Sequence, residues 1–348
     1  MNVEVRSFND VNQHARAIDG WQQEYDQLGR GSLSSSLKQV STPRIQMFQE
    51  VLNRQTLQRG CCPEKRICIA VADSDGPLSI TQGRERTSAS VFLLRNQEDF
   101  MLHAPEGMTL LAANLDFDHF LRLADLHLSD HQKKQVLGVS SLHISDEAAR
   151  RLREALRVIL RHSTSVHQRS SSVEVLDRLV DELLVSAFLD VFSSIDRSDR
   201  SARRESAVCH YLVRRSRELL ESNVCSPLSV LDLCEQLKVS RRTLQASFQT
   251  VAGIGPLEYL RDLRLNAVRR RLGSTTSSEL QVGDAAAEMG FFHLSHFARN
   301  YKELFGELPS ETVRADGASI FSGGQPFQAM PRSHRTPGAS AATMIRNP

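Results

Sequence analysis

One pattern in the last third of this chain narrows the folds open to it, because it is written twice. Val230–Phe248 reads as a short apolar helix, a tight turn and a second helix, followed by Gly253-Ile254-Gly255-Pro256. Val282–Tyr301 repeats that order and is followed by Gly306-Glu307-Leu308-Pro309. Apolar residues three and four apart bury one stripe of each helix and leave the other polar. Two short helices joined by such a turn make a helix-turn-helix, whose second helix suits the DNA major groove. A single copy is weak evidence, since helical hairpins are common in α-helical domains. Two copies in register, each closed by an aromatic residue, a glycine and a proline, are hard to obtain from packing alone.

In the first unit Leu233, Cys234 and Leu237 face inward, Lys238-Val239 make the turn, and Ser240 is placed to cap the next helix. Leu244, Phe248 and Val251 bury one side of that second helix. Arg242, Gln245, Ala246 and Gln249 fall on another side, flanked by Arg241 and Thr243. Arg and Gln form bidentate bonds to guanine and adenine edges, while Arg241 and Thr243 suit phosphates. The second unit aligns at an offset of 52 residues before its turn and 53 after, so that turn holds one extra residue. Val282, Ala285, Ala286 and Met289 form its inner face, and Gly290-Phe291 make the turn. Leu294, Phe297, Tyr301 and Leu304 are predicted to anchor its second helix. His293, Ser295, His296, Arg299, Asn300 and Lys302 are left for the outside.

Pro256–Leu272 reads as one helix between the units. Leu257, Leu260, Leu263, Leu265 and Val268 are its predicted apolar contacts, and Arg261, Arg264, Arg269, Arg270 and Arg271 its positive charge. About 16 residues at 1.5 Å each span about 24 Å. With the widths of the flanking helices added, such a bar holds two recognition helices roughly one DNA turn, about 34 Å, apart.

The remaining two thirds have a different texture. Asp10–Leu28, which carries the only Trp, Trp21, reads as a helix. From about Gly31 to Leu115, short apolar runs recur (Arg44–Leu52, Ile67–Val71, Ser90–Leu94, Asp99–Leu102, Met108–Ala112), separated by turn residues. That rhythm predicts an antiparallel β-barrel or jelly roll. Helices return at Asp116–Leu126, Asp146–Arg161 and Val173–Phe192. The last has a wide apolar stripe that fits packing on the barrel, a dimer seam, or both. The fold class is therefore α+β with several domains: a barrel-like N-terminal domain with flanking helices over 1–192, a linker over 193–206, an all-α domain over 207–315 with helix-turn-helix units at about 230–251 and 282–305, and a disordered tail over 316–348.

Net charge is only +2, so bulk charge does not announce a nucleic-acid binder. Residues 203–314 carry 16 Lys and Arg against 13 Asp and Glu, so any DNA footprint rests on where the arginines stand. No apolar run approaches a membrane span, and Met1–Arg6 lacks a secretion signal, so a cytoplasmic location is expected. Cys61, Cys62, Cys68, Cys209, Cys225 and Cys234 show no metal spacing and read as reduced structural thiols; a redox role for Cys61, Cys62 and Cys68 is the lesser reading.

Residues 207–314 resemble the DNA-binding domain of the AraC/XylS family of bacterial transcription regulators. The resemblance rests on Leu244–Phe248, Arg264–Val268, Asp284-Ala285-Ala286, Gly290-Phe291, His296-Phe297, Phe305-Gly306 and Pro309. Asp10–Leu28 and Val230–Leu272 are similar to the ethanolamine-operon regulator subgroup. The resemblance implies double-stranded promoter DNA as partner, transcription activation together with RNA polymerase, and an N-terminal domain that forms a homodimer and binds a small effector. Arg242 and Gln245, with Ser295 and Arg299, stand at its base-reading positions. Two departures matter: Ala246 stands where many members have arginine, and Leu294 where many have a polar residue, which shifts the second helix toward phosphates.

An enzyme is the first rival, since jelly rolls also host metal-dependent oxygenases. Those need clustered His and carboxylate ligands, and residues 31–115 hold one histidine, His103. His127 and His131, four apart, lie in a polar stretch, and His293 and His296 lack acidic or Cys neighbours, so no metal or cofactor is expected. The second rival is a regulator whose N-terminal domain only dimerises or meets a protein. Trp21, Cys68, Phe92, Phe100 and His103 are the candidates for an effector pocket, each with a plain core role as the alternative.

Overall fold

A computed structural model describes residues 2–315 apart from 43, 74–77, 82–83, 87–89, 139–140, 168–172, 194–202 and 224–227. The expected tail and most of the expected linker lie outside the described residues. The N-terminal part is two antiparallel sheets. One holds seven strands in the order β1 (Asn2–Phe8), β3 (Ser35–Ser41), β4 (Ile45–Leu52), β11 (Thr109–Asp116), β6 (Arg66–Ala72), β9 (Ser90–Arg95) and β12 (Ser141–His143). The other runs β2 (Gln22–Gln27), β5 (Thr56–Cys61), β10 (Asp99–Ala104), β7 (Leu78–Thr81) and β8 (Arg84–Arg86). The predicted apolar runs are strands β4, β6, β9, β10 and β11, as expected.

The stretch 10–28 is a correction. Only α1 (Val11–Arg16) is helical, capped by Asp10, whose carboxylate accepts from the amides of Asn12 (2.9 Å) and Gln13 (3.0 Å). The chain then turns, and 22–27 is strand β2, paired antiparallel with β5. Trp21 lies between them. Its indole donates to Gln46 Oε1 (3.1 Å), and its ring meets those of Phe48 and Phe100 edge-on.

Because strand side chains alternate, each sheet offers two faces. Between the sheets lie Phe48, Cys68, Ala70, Phe92, Leu94, Leu102, Leu110 and Ala112. The outer face of the seven-stranded sheet carries Met47, Ile67, Ile69, Val71 and Leu111 and is covered by helices. After α2 (Phe117–His127) and α3 (Asp130–Gly138) come α4 (Asp146–His167) and α5 (Val173–Ser193). Helix α4 lays Leu152, Leu156, Ile159 and Leu160 on that core, and α5 adds Val180, Leu184, Phe188, Val191 and Phe192. Of the predicted stripe, Val180, Leu184, Phe188, Val191 and Phe192 are thus packed within the fold, with Leu183 left exposed.

The C-terminal part is helical: α6 (Arg203–Ser222), α7 (Val230–Leu237), α8 (Arg241–Ala252), α9 (Pro256–Gly273), α10 (Val282–Glu288) and α11 (Leu294–Phe305), then a 3₁₀ turn at Pro309–Glu311. No helix among the described residues is long and apolar enough to cross a membrane. The outer face of the five-stranded sheet meets this bundle. Leu28 and Leu57 join Val213, Leu233, Leu244, Phe248, Tyr259 and Leu263 in one core.

Polar contacts extend the junction. Strand β2 is an edge strand, whose free backbone groups need partners. Asn266 of α9 supplies them at Gln27: its Oδ1 accepts from the Gln27 amide (2.9 Å) and its Nδ2 donates to the Gln27 carbonyl (2.8 Å). The fully buried Asp26 carboxylate pairs with Arg217 of α6 (2.8 Å) and with Arg270 of α9. Those guanidiniums overcome its desolvation and hold the carboxyl down at about 2. Arg269 reaches Asp10 and Glu307, both at 2.7 Å, and lies over the Phe305 ring.

Candidate nucleic-acid interface

Local signals set each helix of the first unit. Ser229 and Asp232 form a reciprocal capping box at the start of α7. Lys238 ends α7 in the left-handed region (φ 55°), and Val239 donates back to the Cys234 carbonyl (3.1 Å). Ser240 then caps α8, accepting from the Thr243 amide (3.1 Å). With Leu244, Phe248 and Val251 buried beneath, Arg241, Arg242, Thr243, Gln245, Ala246 and Gln249 are all exposed. Two of these are engaged locally: the Thr243 hydroxyl meets Ser240 Oγ (2.9 Å), and the Gln249 amide donates to the Gly253 carbonyl (2.9 Å).

The second unit copies the turn with three changes. Gly290 takes the left-handed position of Lys238 (φ 78°), where the missing Cβ removes the steric cost. Phe291 donates to the Ala286 carbonyl (2.9 Å), as Val239 does to Cys234. His293 takes the N-cap place of Ser240, without a side-chain cap bond. Register therefore identifies the extra residue as Phe292, whose ring is 75% exposed. Phe297, Tyr301, Leu304 and Phe305 bury the inner side of α11. His293, Ser295, His296, Arg299 and Lys302 are exposed, and Asn300 is half-buried. Arg299 Nη2 lies 3.0 Å from His296 Nδ1. Arg299, Asn300, Lys302 and Glu303 line an open hollow of about 600 Å³.

Several expectations need correction. Leu294 does not anchor α11: it is 51% exposed, beside Phe292. Leu257 is exposed as well, so the buried stripe of α9 is Leu260, Leu263, Leu265, Val268 and Leu272 with Tyr259. The arginines of α9 are not a free positive strip. Arg269 and Arg270 are committed to Asp10, Glu307, Asp26 and Glu24, Arg271 pairs with Glu288, and Arg264 lies over the Phe291 ring.

The effector candidates also divide. Trp21, Cys68, Phe92 and Phe100 meet between the sheets. His103 is on the outer face, against Tyr259 and His210 of the helical part. Burial and the neighbouring His210 and Arg217 push its imidazole down to about 3, so it is neutral. Burial pushes the Cys62 thiol up to about 12 and the Cys68 thiol well above its ordinary value, which disfavours a reactive thiolate at either. No group of three or more metal-ligating side chains occurs among the described residues.

Sequence reasoning missed how the N-terminal part touches the second unit. The carbonyls at the C-terminal end of α11 would lack partners on their own. Gly31 donates to the Glu303 and Leu304 carbonyls (3.1 and 3.0 Å), and Gln27 Nε2 to Leu304 (2.6 Å). Arg30 bridges Glu258 and Glu303. Gly306 allows this approach, since a Cβ there would sit 2.8 Å from the Ser32 amide nitrogen. The grip takes the far end of α11 and leaves its first turns bare. The Arg-Gly pair 30–31 was the one available signal, and it reads equally well as an ordinary loop.

Comparison with known proteins finds the same motif in this part of the chain. Residues 233–315 match a family model described as a helix-turn-helix domain. XylDLEGF operon transcriptional activator 1 of Pseudomonas putida is 28% identical over 55% of this chain and 62% of its own length. XylDLEGF operon transcriptional activator 3 of the same organism is 37% identical over 28% of this chain and 29% of its own. The chain thus spans less than two thirds of these curated relatives. A solved AraC-type transcriptional regulator from Chromobacterium violaceum is 34% identical over 33% of this chain and 99% of that one, with a TM-score of 0.29. On the duplicated unit, the helix-turn-helix match and the likeness to these operon activators, residues 233–315 are a DNA-binding domain similar to those of AraC/XylS-type transcription regulators.

Proposed function

We propose that this chain binds promoter DNA through α8 and α11 in two successive major grooves, and that residues 1–192 sense a signal and dimerise while 207–315 bind DNA. The observation that carries the reading is the split character of α8: one side wholly buried, the other an exposed row of Arg242, Gln245 and Gln249. Arg299, Ser295 and His296 make the second row, on α11, with Lys302 and Asn300 at its phosphate edge as Arg241 is at that of the first. Helix α9 has 18 residues, about 27 Å at 1.5 Å each, which suits a spacer of one DNA turn. The relatives named as operon activators support activation, with RNA polymerase as the further partner, in the cytoplasm. Ethanolamine as effector rests on the likeness of Asp10–Leu28 and Val230–Leu272 alone.

The test is footprinting of the purified full chain on duplexes selected from a random pool. Two protected stretches about one turn apart on one face are expected. Protection of a single stretch, or none at low salt, refutes the two-groove reading.

A second reading has a specific observation behind it. The space between the sheets is filled by Trp21, Phe48, Cys68, Phe92, Phe100 and Leu102, which favours an N-terminal domain that only dimerises or meets a protein. A thermal-shift screen on the full chain separates the readings: a small molecule that raises Tm and changes DNA affinity establishes a sensor.

A further inference from the structure

Aromatic and large aliphatic side chains seldom stand bare next to one another without a partner that covers them. Phe292 (75% exposed) and Leu294 (51% exposed) do so where the turn enters α11. Phe292 is the residue inserted in the second turn, and no counterpart exists in the first. Leu294 occupies the first position of the helix and leans toward Gly283 of α10, where an added Cβ would lie 3.7 Å from its Cδ1. Neither belongs to the buried core of the second unit. His293, Ser295, His296 and Arg299, all exposed, flank the pair along the chain and are polar groups suited to DNA.

The occupant follows from that position. In a helix-turn-helix the residues at the start of the recognition helix meet base edges. The apolar group on a base edge in the major groove is the thymine 5-methyl, and apolar side chains are its partners. Resting on the DNA-reading function proposed above, we infer that Phe292 and Leu294 form a thymine-methyl reader, so that the half-site of the second unit is specified by thymines where the first is specified by purine edges. A protein partner would need a wider apolar surface than two side chains flanked by basic and polar groups. The charge around the pair fits the polyanion instead.

Deoxyuridine in place of thymidine removes only the methyl and keeps pairing. Using the full chain and a duplex selected from a random pool, each thymine of the second half-site is replaced in turn. At about 0.8 kcal/mol per buried methyl group, a loss of about fourfold is expected at one or two positions. In Phe292→Ser and Leu294→Ser that loss disappears, at a different thymine for each if both read separately. Arg242→Ala weakens binding overall but leaves the thymine-to-uracil ratio unchanged. Both apolar side chains are exposed, so circular dichroism of the serine variants should match the parent. If uracil substitution has no effect, or the same effect in the serine variants as in the parent, the reader is refuted while DNA binding stands. If the parent selects no duplex at all, the DNA-reading function falls first and the reader with it.

Discussion

The two helix-turn-helix units share a turn, a buried aromatic and a closing glycine, yet they are built into the molecule differently. The core of the first is continuous with the sheet: Leu28 and Leu57 pack with Leu233, Leu244, Phe248 and Tyr259. The second has a core of its own, made of Leu265, Val268, Leu272, Ala285, Ala286, Phe297, Tyr301, Leu304 and Phe305. It meets the N-terminal part through hydrogen bonds and ion pairs, at the end of α11 and from Asn266, Arg269 and Arg270 of α9. Apolar burial is strong and undirected, whereas polar contacts exchange with water at small net cost. The first unit is thus fused to the N-terminal domain, and the second is held by contacts that can be traded. A change in the N-terminal domain would move the second unit more readily than the first.

Core truncation is the strongest way to break this contrast. Phe248→Ala and Phe297→Ala each remove a fully buried ring and should cost about 3–5 kcal/mol. The difference lies in what loosens. Hydrogen exchange should rise in β2 and β5 as well as in α7 and α8 for Phe248→Ala, but only in α9–α11 for Phe297→Ala. Exchange confined to α7 and α8 in the first variant would mean that the shared core does not couple the parts.

The polar side of the junction gives the next test. Asp26→Ala leaves Arg217 and Arg270 buried beside an empty place, which typically costs about 3–5 kcal/mol. The double variant Asp26→Leu with Arg217→Met should recover much of that, because both charges of that pair are gone. The sign with pH is fixed by the depressed carboxyl. Held at about 2, against an ordinary value of 3.8, Asp26 contributes stability that is present above pH 4 and lost as pH falls toward 2. Urea unfolding of the parent and Asp26→Ala from pH 5 to pH 2.5 should converge at the acid end. Parallel curves would show that the pair is not what stabilises the junction.

Much of the helical part was legible because local rules set it. Periodic Leu, Phe and Tyr gave the helices, Ser240 gave the start of α8, and Gly290 gave a turn. Residues 10–28 misled for a physical reason. Ala15, Ile18 and the Gln-rich run suit a helix locally, but β2 is stabilised by β5 and by Asn266, 239 residues away from Gln27. No local signal encodes such a partner. His103 and the arginines of α9 were misplaced likewise, since a face can be assigned from periodicity while its neighbour cannot. Leu294 is the reverse case: its spacing fits a core position, yet α11 starts there and the side chain clears the core.

Base reading sharpens the comparison at the next level. Arg242→Ala and Arg299→Ala should each weaken specific binding by about 1–3 kcal/mol and leave Tm unchanged, because both side chains are exposed. Footprints should weaken over one half-site in each case, and over opposite ones. Loss of both half-sites in either variant would show that the two units bind as one inseparable body.

The smallest expected effect concerns His103, which lies where the sheet meets α6 and α9, facing His210, Arg217 and Tyr259. Its imidazole is held down at about 3 from an ordinary 6.5, so it enters the junction neutral and gains a proton when the junction opens. That contribution is present above pH 6.5 and is lost as pH falls, by at most about 1.4 kcal/mol per pH unit. Asp262 acts with the opposite sign nearby: burial raises its carboxyl to about 7, so its contribution is full below pH 3.8 and fades as pH rises to 7. The two oppose each other between pH 4 and 6.5, and the parent alone should show a shallow slope. The difference between the parent and His103→Asn isolates the imidazole: the variant should lose less stability on going from pH 7 to pH 5, by about 2 kcal/mol. Equal losses would place His103 in contact with water, and would loosen the fused half of the comparison from which these predictions start.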